Sequence, residues 1–225
     1  MCWNKNVSLN TFIASIGILA LIFYNDKYTQ YKIDTFQGNI FVYLFFISII
    51  SIQLIEYFLW KNLNNVKMNQ MISLICLIVI FLQPFFGILG FTTGDKRKYM
   101  LIGYLIFVII YFIYRTFVKS IRIFTTKSID GHLSWNWLDL KGWEIIFVVI
   151  WLLFFIIAIG SDGKIHRTIF GCMLLILAVY LYYKNAVWGS MWCWFANIIM
   201  IFYLIELLII MPYKENGFCG MNSML

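Results

Sequence analysis

Apolar stretches of about 20 residues recur along the whole chain, parted by short polar connections, and no other feature constrains the fold as tightly. A helix of that length crosses about 30 Å of hydrocarbon. Backbone groups in lipid must be satisfied inside the segment, which leaves helices or closed barrels, and the alternating apolar pattern of barrel strands is absent. The runs predict an all-α polytopic membrane helical bundle of seven transmembrane helices, at 9–24, 38–60, 68–90, 99–117, 143–160, 165–184 and 188–211. One transmembrane domain over 1–225 accounts for the whole chain. The first run is short, so its helix is expected to begin before residue 9. Pro84 lies inside the third run and is expected to kink it, because proline removes a backbone bond and clashes with the preceding turn.

Composition agrees. The chain is 63% hydrophobic and 12% charged, where a soluble domain is about 45–50% apolar and about 25% charged. The net charge of +7 sits between the apolar runs, which implies membrane lipid headgroups as partners and no nucleic acid. The five cysteines form no CxxC pair, so neither a zinc knuckle nor a disulfide framework is implied. The first run lacks a small-residue cleavage site and reads as a span, not a signal peptide.

Seven spans put the termini on opposite sides. The side of the N-terminus, the first side, receives nine basic residues against eight on the second, which leans toward a cytoplasmic first side under the positive-inside rule. Asn6-Val7-Ser8 matches a glycosylation acceptor and argues the other way. Tryptophan is less even. Trp3, Trp60, Trp135, Trp137, Trp143, Trp188, Trp192 and Trp194 all fall toward the first side, and Trp151 alone lies mid-run. Two readings fit: an aromatic belt at headgroup level, or a ligand-binding mouth.

Charges at membrane depth cost about 2.5–3.5 kcal/mol on insertion scales and mark candidate sites. Glu56 in the second run and Glu206 in the seventh qualify. Gln53, Glu56 and Trp60 share one helix face by their spacing of three and four. The stretch WGSMWCWFAN at 188–197 lies at the same depth, and Ser190, Cys193, Trp194 and Asn197 form one stripe of it. The expectation is a first cluster of Gln53, Glu56, Trp60, Arg115, Ser190, Trp192, Trp194 and Asn197, with Arg115 pairing Glu56 and Tyr111 one turn below it. Asn197 and Ser190 should face the second span. Trp188 and Trp192, off the stripe, are expected to anchor at the interface, and Gly189 and Ser190 to permit close helix approach. A second cluster of Gln83, His166 and Glu206 is expected in the other half, sharing the carbonyl freed by Pro84. The competing reading makes both carboxylates packing locks. The long connection KSIRIFTTKSIDGHLSWNWLDLKGW reads as an interfacial extension followed by an anchored loop or a lid.

Several chemistries are argued against. No lysine lies between Lys184 and Lys214, so a retinal Schiff base in the last span is excluded. Two histidines, His132 and His166, cannot supply a three-histidine zinc site. No phosphate loop or nucleophile elbow occurs, and no cofactor is implied. The Leu-Ile-Glu triplets at 54–56 and 204–206 fall in spans that an inverted repeat does not relate.

QLIEYFLW at 53–60, LQP at 82–84 and GSMWCWFAN at 189–197 together resemble a family of small seven-span proteins of large DNA viruses and protists. The resemblance covers nearly the whole chain and implies no activity and no site residues. Two functions follow from the residues themselves. The first is binding or transport of a small solute or lipid in a cavity near Glu56. The second is a structural or interaction role in a viral or organellar membrane, and an enzyme ranks below both.

Overall fold

The computed structural model describes residues 4–119, 123–138, 142–163, 165–183 and 186–213, with the side chains of residues 119 and 165–167 outside the description. The chain is an all-α helical bundle. Its elements are α1 (Lys5–Tyr28), α2 (Ile40–Lys61), α3 (Val66–Phe91), α4 (Gly94–Tyr114), β1 (Thr125–Lys127), β2 (Leu133–Trp135), α5 (Glu144–Gly160), α6 (Ile165–Tyr182), α7 (Trp188–Ala196) and α8 (Ile198–Ile205). One-turn π segments follow α4 (Arg115–Lys119) and α8 (Glu206–Ile210). Among the described residues, five helical stretches are long and apolar enough to cross a membrane: Lys5–Tyr28, Ile40–Lys61, Val66–Phe91, Gly94–Val118 and Trp188–Tyr213. Glu144–Gly160 and Thr168–Tyr182 are apolar but shorter.

Asparagines set the helix starts. Asn4, Asn39 and Asn65 each accept a backbone N–H from the first turn of α1, α2 and α3, which satisfies donors that have no intrahelical partner. The first helix begins four residues before the start of its apolar run, as the short run required. Helices α2 and α3 form the centre. Asn39 Nδ2 donates to the Gly90 carbonyl at 2.8 Å, and a Cβ placed on Gly90 would sit 3.1 Å from Val42 Cγ2 and 3.2 Å from its backbone nitrogen, so a side chain there would push the two helices a few tenths of an ångström apart.

The side-chain distribution is inverted relative to a soluble protein. Ile102, Ile106, Ile109 and Ile113 of α4 and Ile145, Val149, Leu153 and Ile157 of α5 face outward. Gln53, Glu56, Asn69, Ser73, Gln83 and Asn197 face inward.

Pro84 sits within a helix that runs on to Phe91. The carbonyl it deprives of a partner is that of Ile80, four residues back. Trp151 Nε1 of α5 donates to that oxygen at 3.2 Å. The freed carbonyl therefore serves α3–α5 packing, with a partner in Trp151 that the sequence-based expectation did not include.

The long connection holds an element the sequence reading missed. β1 and β2 pair antiparallel, with Thr125 opposite Trp135 and Lys127 opposite Leu133. Asp130-Gly131, the dipeptide that favours tight hairpins, lies between them, with Gly131 at φ 80°. The hairpin is clamped to one end of the bundle. Asn69 of α3 donates to the Thr125 carbonyl at 2.9 Å and accepts its N–H at 2.8 Å, so one amide side chain substitutes for a missing strand. The Trp135 N–H donates to the Ala186 carbonyl ahead of α7 at 3.2 Å.

Candidate functional site

At the hairpin end, α1, α2, α7 and β2 enclose a small pocket. Ser8, Gln53, Glu56, Trp60, His132, Leu133, Ser190, Met191 and Trp194 line it, and it encloses about 10 Å³, about the least that holds one water molecule. Glu56 is 4% exposed. Ser190 Oγ donates to its Oε1 across the α2–α7 contact, so Ser190 does turn toward α2. Gln53, one turn before Glu56, is 0% exposed. Its amide lies beside the Glu56 carboxyl, close enough to act on it as a hydrogen-bond donor, but without full hydrogen-bond geometry at either its nitrogen or its oxygen. A buried amide short of full hydrogen bonds is costly, which makes Gln53 the least settled group in the pocket. Trp194 Nε1 donates to Thr11 Oγ1 of α1 at 3.2 Å.

His132 comes from the hairpin and was not anticipated. Its ring meets Tyr182 of α6 edge-on at 5.4 Å. Burial holds its imidazole below the usual value, against the opposing pull of Asp130.

Arg115 is not part of this pocket. Its Nη1 bonds Glu144 Oε1 at 3.3 Å, with both side chains largely covered. Glu56 is bonded to Ser190 instead, so the expected Arg115–Glu56 pair is replaced by a pair joining the end of α4 to the start of α5. The missed signal was Glu144 itself, an acidic residue in the first turn of its helix, where the dipole favours it. Tyr111, one turn below Arg115, has its ring 6.0 Å from the guanidinium carbon.

The other residues of WGSMWCWFAN divide differently from the expected stripe. Residues 188–193 are buried all round. Trp188 is 1% exposed and donates from Nε1 to the Leu138 carbonyl at 3.2 Å. Trp192 packs edge-on against Trp151 and Phe155 at 5.6 and 5.1 Å. Neither is an interfacial anchor. Gly189 meets the connection, not α2: a Cβ there would lie 2.5 Å from Leu138 Cδ2 and 3.0 Å from Trp135 Cε3. Asn197 is buried but spends its amide on its own preceding turn, donating to the Cys193 carbonyl at 2.8 Å, and marks the break between α7 and α8. Its Oδ1 is buried without a partner.

Five tryptophans form the wall of a second cavity of about 40 Å³. Trp135, Trp137, Trp151, Trp188 and Trp192 line it with Gln83, Tyr111, Glu144 and Cys193. Trp135 and Trp137 stack at 5.3 Å and 8°. A third, apolar cavity of about 70 Å³ lies beyond Trp192 among Phe45, Phe46, Phe155, Leu175 and Tyr203. Trp143 is 73% exposed and fits a belt, but these five do not.

Of the expected second cluster, Gln83 lines the tryptophan cavity, and Glu206 is not among that cavity's lining residues. Glu206 is partly exposed in the π segment after α8. The His166 side chain lies outside the described residues.

Compared with protein-family models, curated proteins and solved structures, the chain finds no match.

Proposed function

We propose that the chain is a multi-pass integral membrane protein of seven spans, and that it binds or transports a small polar solute through the pocket at Glu56. The observation that carries this reading is the Gln53 amide. It is fully buried beside the Glu56 carboxyl, in a pocket that takes one water, with neither polar atom in full hydrogen-bond geometry. A site that holds a solute only transiently pays for unsatisfied polar groups while it is empty. The hairpin supplies His132 and Leu133 to the same pocket, so its displacement would open a path from that end of the bundle.

A structural role is the second reading, and the Ser190–Glu56 bond favours it, because it links α2 to α7 inside the bundle. The two separate in a thermal-shift screen of detergent-purified protein against small polar metabolites and lipids, run on wild type and Gln53→Leu. A solute that stabilises the wild type and not the variant supports binding. No stabilising compound, together with a variant more stable than wild type, supports the lock.

A further inference from the structure

The Glu56 pocket contains an ionisable acid and no fixed cation. Four oxygen-bearing side chains line it: Ser8 of α1, Gln53 and Glu56 of α2, and Ser190 of α7. All four are buried. Among the described residues, no lysine or arginine lines the space. The buried Arg115 is committed to Glu144, and Lys61 is exposed over the Tyr57 ring. Burial disfavours the charged form of His132. A buried carboxylate without a paired charge is costly, so Glu56 calls for a proton or a cation. A proton occupies one oxygen and leaves the Gln53 amide and the enclosed space unused. A cation uses both. Divalent ions take several carboxylates or keep several waters. Here there is one carboxylate and about 10 Å³, about one water's worth. No cluster of three His, Cys, Asp or Glu side chains suited to a metal occurs among the described residues. A dehydrated sodium ion is smaller than a water molecule, whereas caesium is larger.

We propose that the pocket binds one dehydrated monovalent cation of sodium size, held by the Glu56 carboxylate, the Gln53 carbonyl oxygen and Ser190 Oγ. This rests on the reading that the pocket holds a solute, and it names the solute's class. Ser190 Oγ donates to Glu56 Oε1, and its lone pairs stay available to an ion. Neither polar atom of Gln53 is in full hydrogen-bond geometry, so turning its Oε1 onto the ion breaks no well-made bond. Trp60 and Trp194 line the same space, and indole rings attract cations.

The test is thermal unfolding of the full-length protein in mild detergent. Sodium, caesium and choline chloride are compared at one ionic strength, at neutral and at alkaline pH, because a proton competes with a cation for a carboxylate. Comparing salts at one pH cancels the titration of the other acid–base groups around Glu56, which are Cys76 of α3, Cys193 of α7 and His132 of the hairpin. At roughly ten times its dissociation constant, sodium should raise Tm above the choline value by about 3–6 °C, at one pH or both. Caesium should not. The rise should vanish in Glu56→Gln. In Gln53→Leu it should need at least about tenfold more sodium, and that variant decides if Glu56→Gln does not fold. Equal rises with sodium and caesium, a rise that survives Glu56→Gln, or no rise at either pH would overturn the proposal. With no rise, a neutral metabolite that stabilises wild type and not Gln53→Leu keeps the pocket as a solute site and removes only the cation. No response to either removes both.

Discussion

The hydrogen bond from Ser190 to Glu56 joins a hydroxyl and a carboxyl that would both be costly in lipid alone. Removing the donor leaves the carboxyl unmet, so Ser190→Ala should lower stability by about 1–3 kcal/mol. Replacing both groups removes the unmet partner, so Ser190→Ala combined with Glu56→Leu should recover most of that loss. Denaturant unfolding in detergent micelles measures both, and an unchanged Ser190→Ala would show that the bond contributes nothing. Periodicity made this pair legible, because spacing of three and four placed Gln53 and Glu56 on one face and Ser190 at a matching depth. It could not choose between Arg115's two possible carboxylates. Depth along a helix reads from sequence, but the rotation of α4 relative to α5 does not. The tryptophans failed for a related reason. An indole suits a headgroup belt and a cavity wall equally well, so Trp188 and Trp192 carried no signal that separated the two.

At the scale of elements, the α3–α5 contact offers a sharper test than any surface. Pro84 strips the Ile80 carbonyl of its helical partner, and Trp151 replaces it. Trp151→Phe should therefore cost about 1–3 kcal/mol through the orphaned oxygen, in addition to its lost packing. Pro84→Ala supplies an N–H to that carbonyl, so the same tryptophan substitution should cost less in its background, by a coupling of roughly 0.5–3 kcal/mol. A double-mutant cycle by thermal unfolding reads the coupling directly, and additive effects would mean that the indole N–H is not the replacement partner. The helices themselves were evident in the apolar runs, whose length and lack of alternation leave one backbone solution. The hairpin was hidden because its strands are three residues each and the apolar residues around them read equally well as an interfacial anchor. Asp130-Gly131 was the available signal. What fixes the hairpin is Asn69, more than fifty residues away in sequence, and no local pattern announces such a contact.

For the whole molecule, the arrangement around the hairpin dictates topology. The starts of α1, α3, α5 and α7 and the ends of α2, α4 and α6 all gather there: Thr11 with Trp194, Asn69 with Thr125, Arg115 with Glu144, Ser190 with Glu56, and His132 with Tyr182. Successive helices therefore alternate in direction, and an outward apolar surface of the kind carried by α4 and α5 is stable only in contact with lipid or another apolar face. If the bundle crosses a membrane seven times, the α2–α3 turn and the hairpin tip share one side, and the α1–α2 and α3–α4 turns share the other. Single cysteines at Asn64 and Ile129 should then label together with a membrane-impermeant maleimide in intact cells, while cysteines at Gln37 and Asp95 label only after permeabilisation, or the reverse for the opposite orientation. All four positions are exposed, and the background should carry serine at Cys2, Cys172 and Cys219, since Cys76 and Cys193 are buried. Labelling of Asn64→Cys and Ile129→Cys from opposite sides would break the pairing of the α2 end with the hairpin and, with it, the pocket at Glu56. Labelling of all four from one side would mean that the apolar surface meets something other than a bilayer. The two outcomes test different levels of the argument, the first the assembly of the site and the second the solvent that the sequence was selected to face.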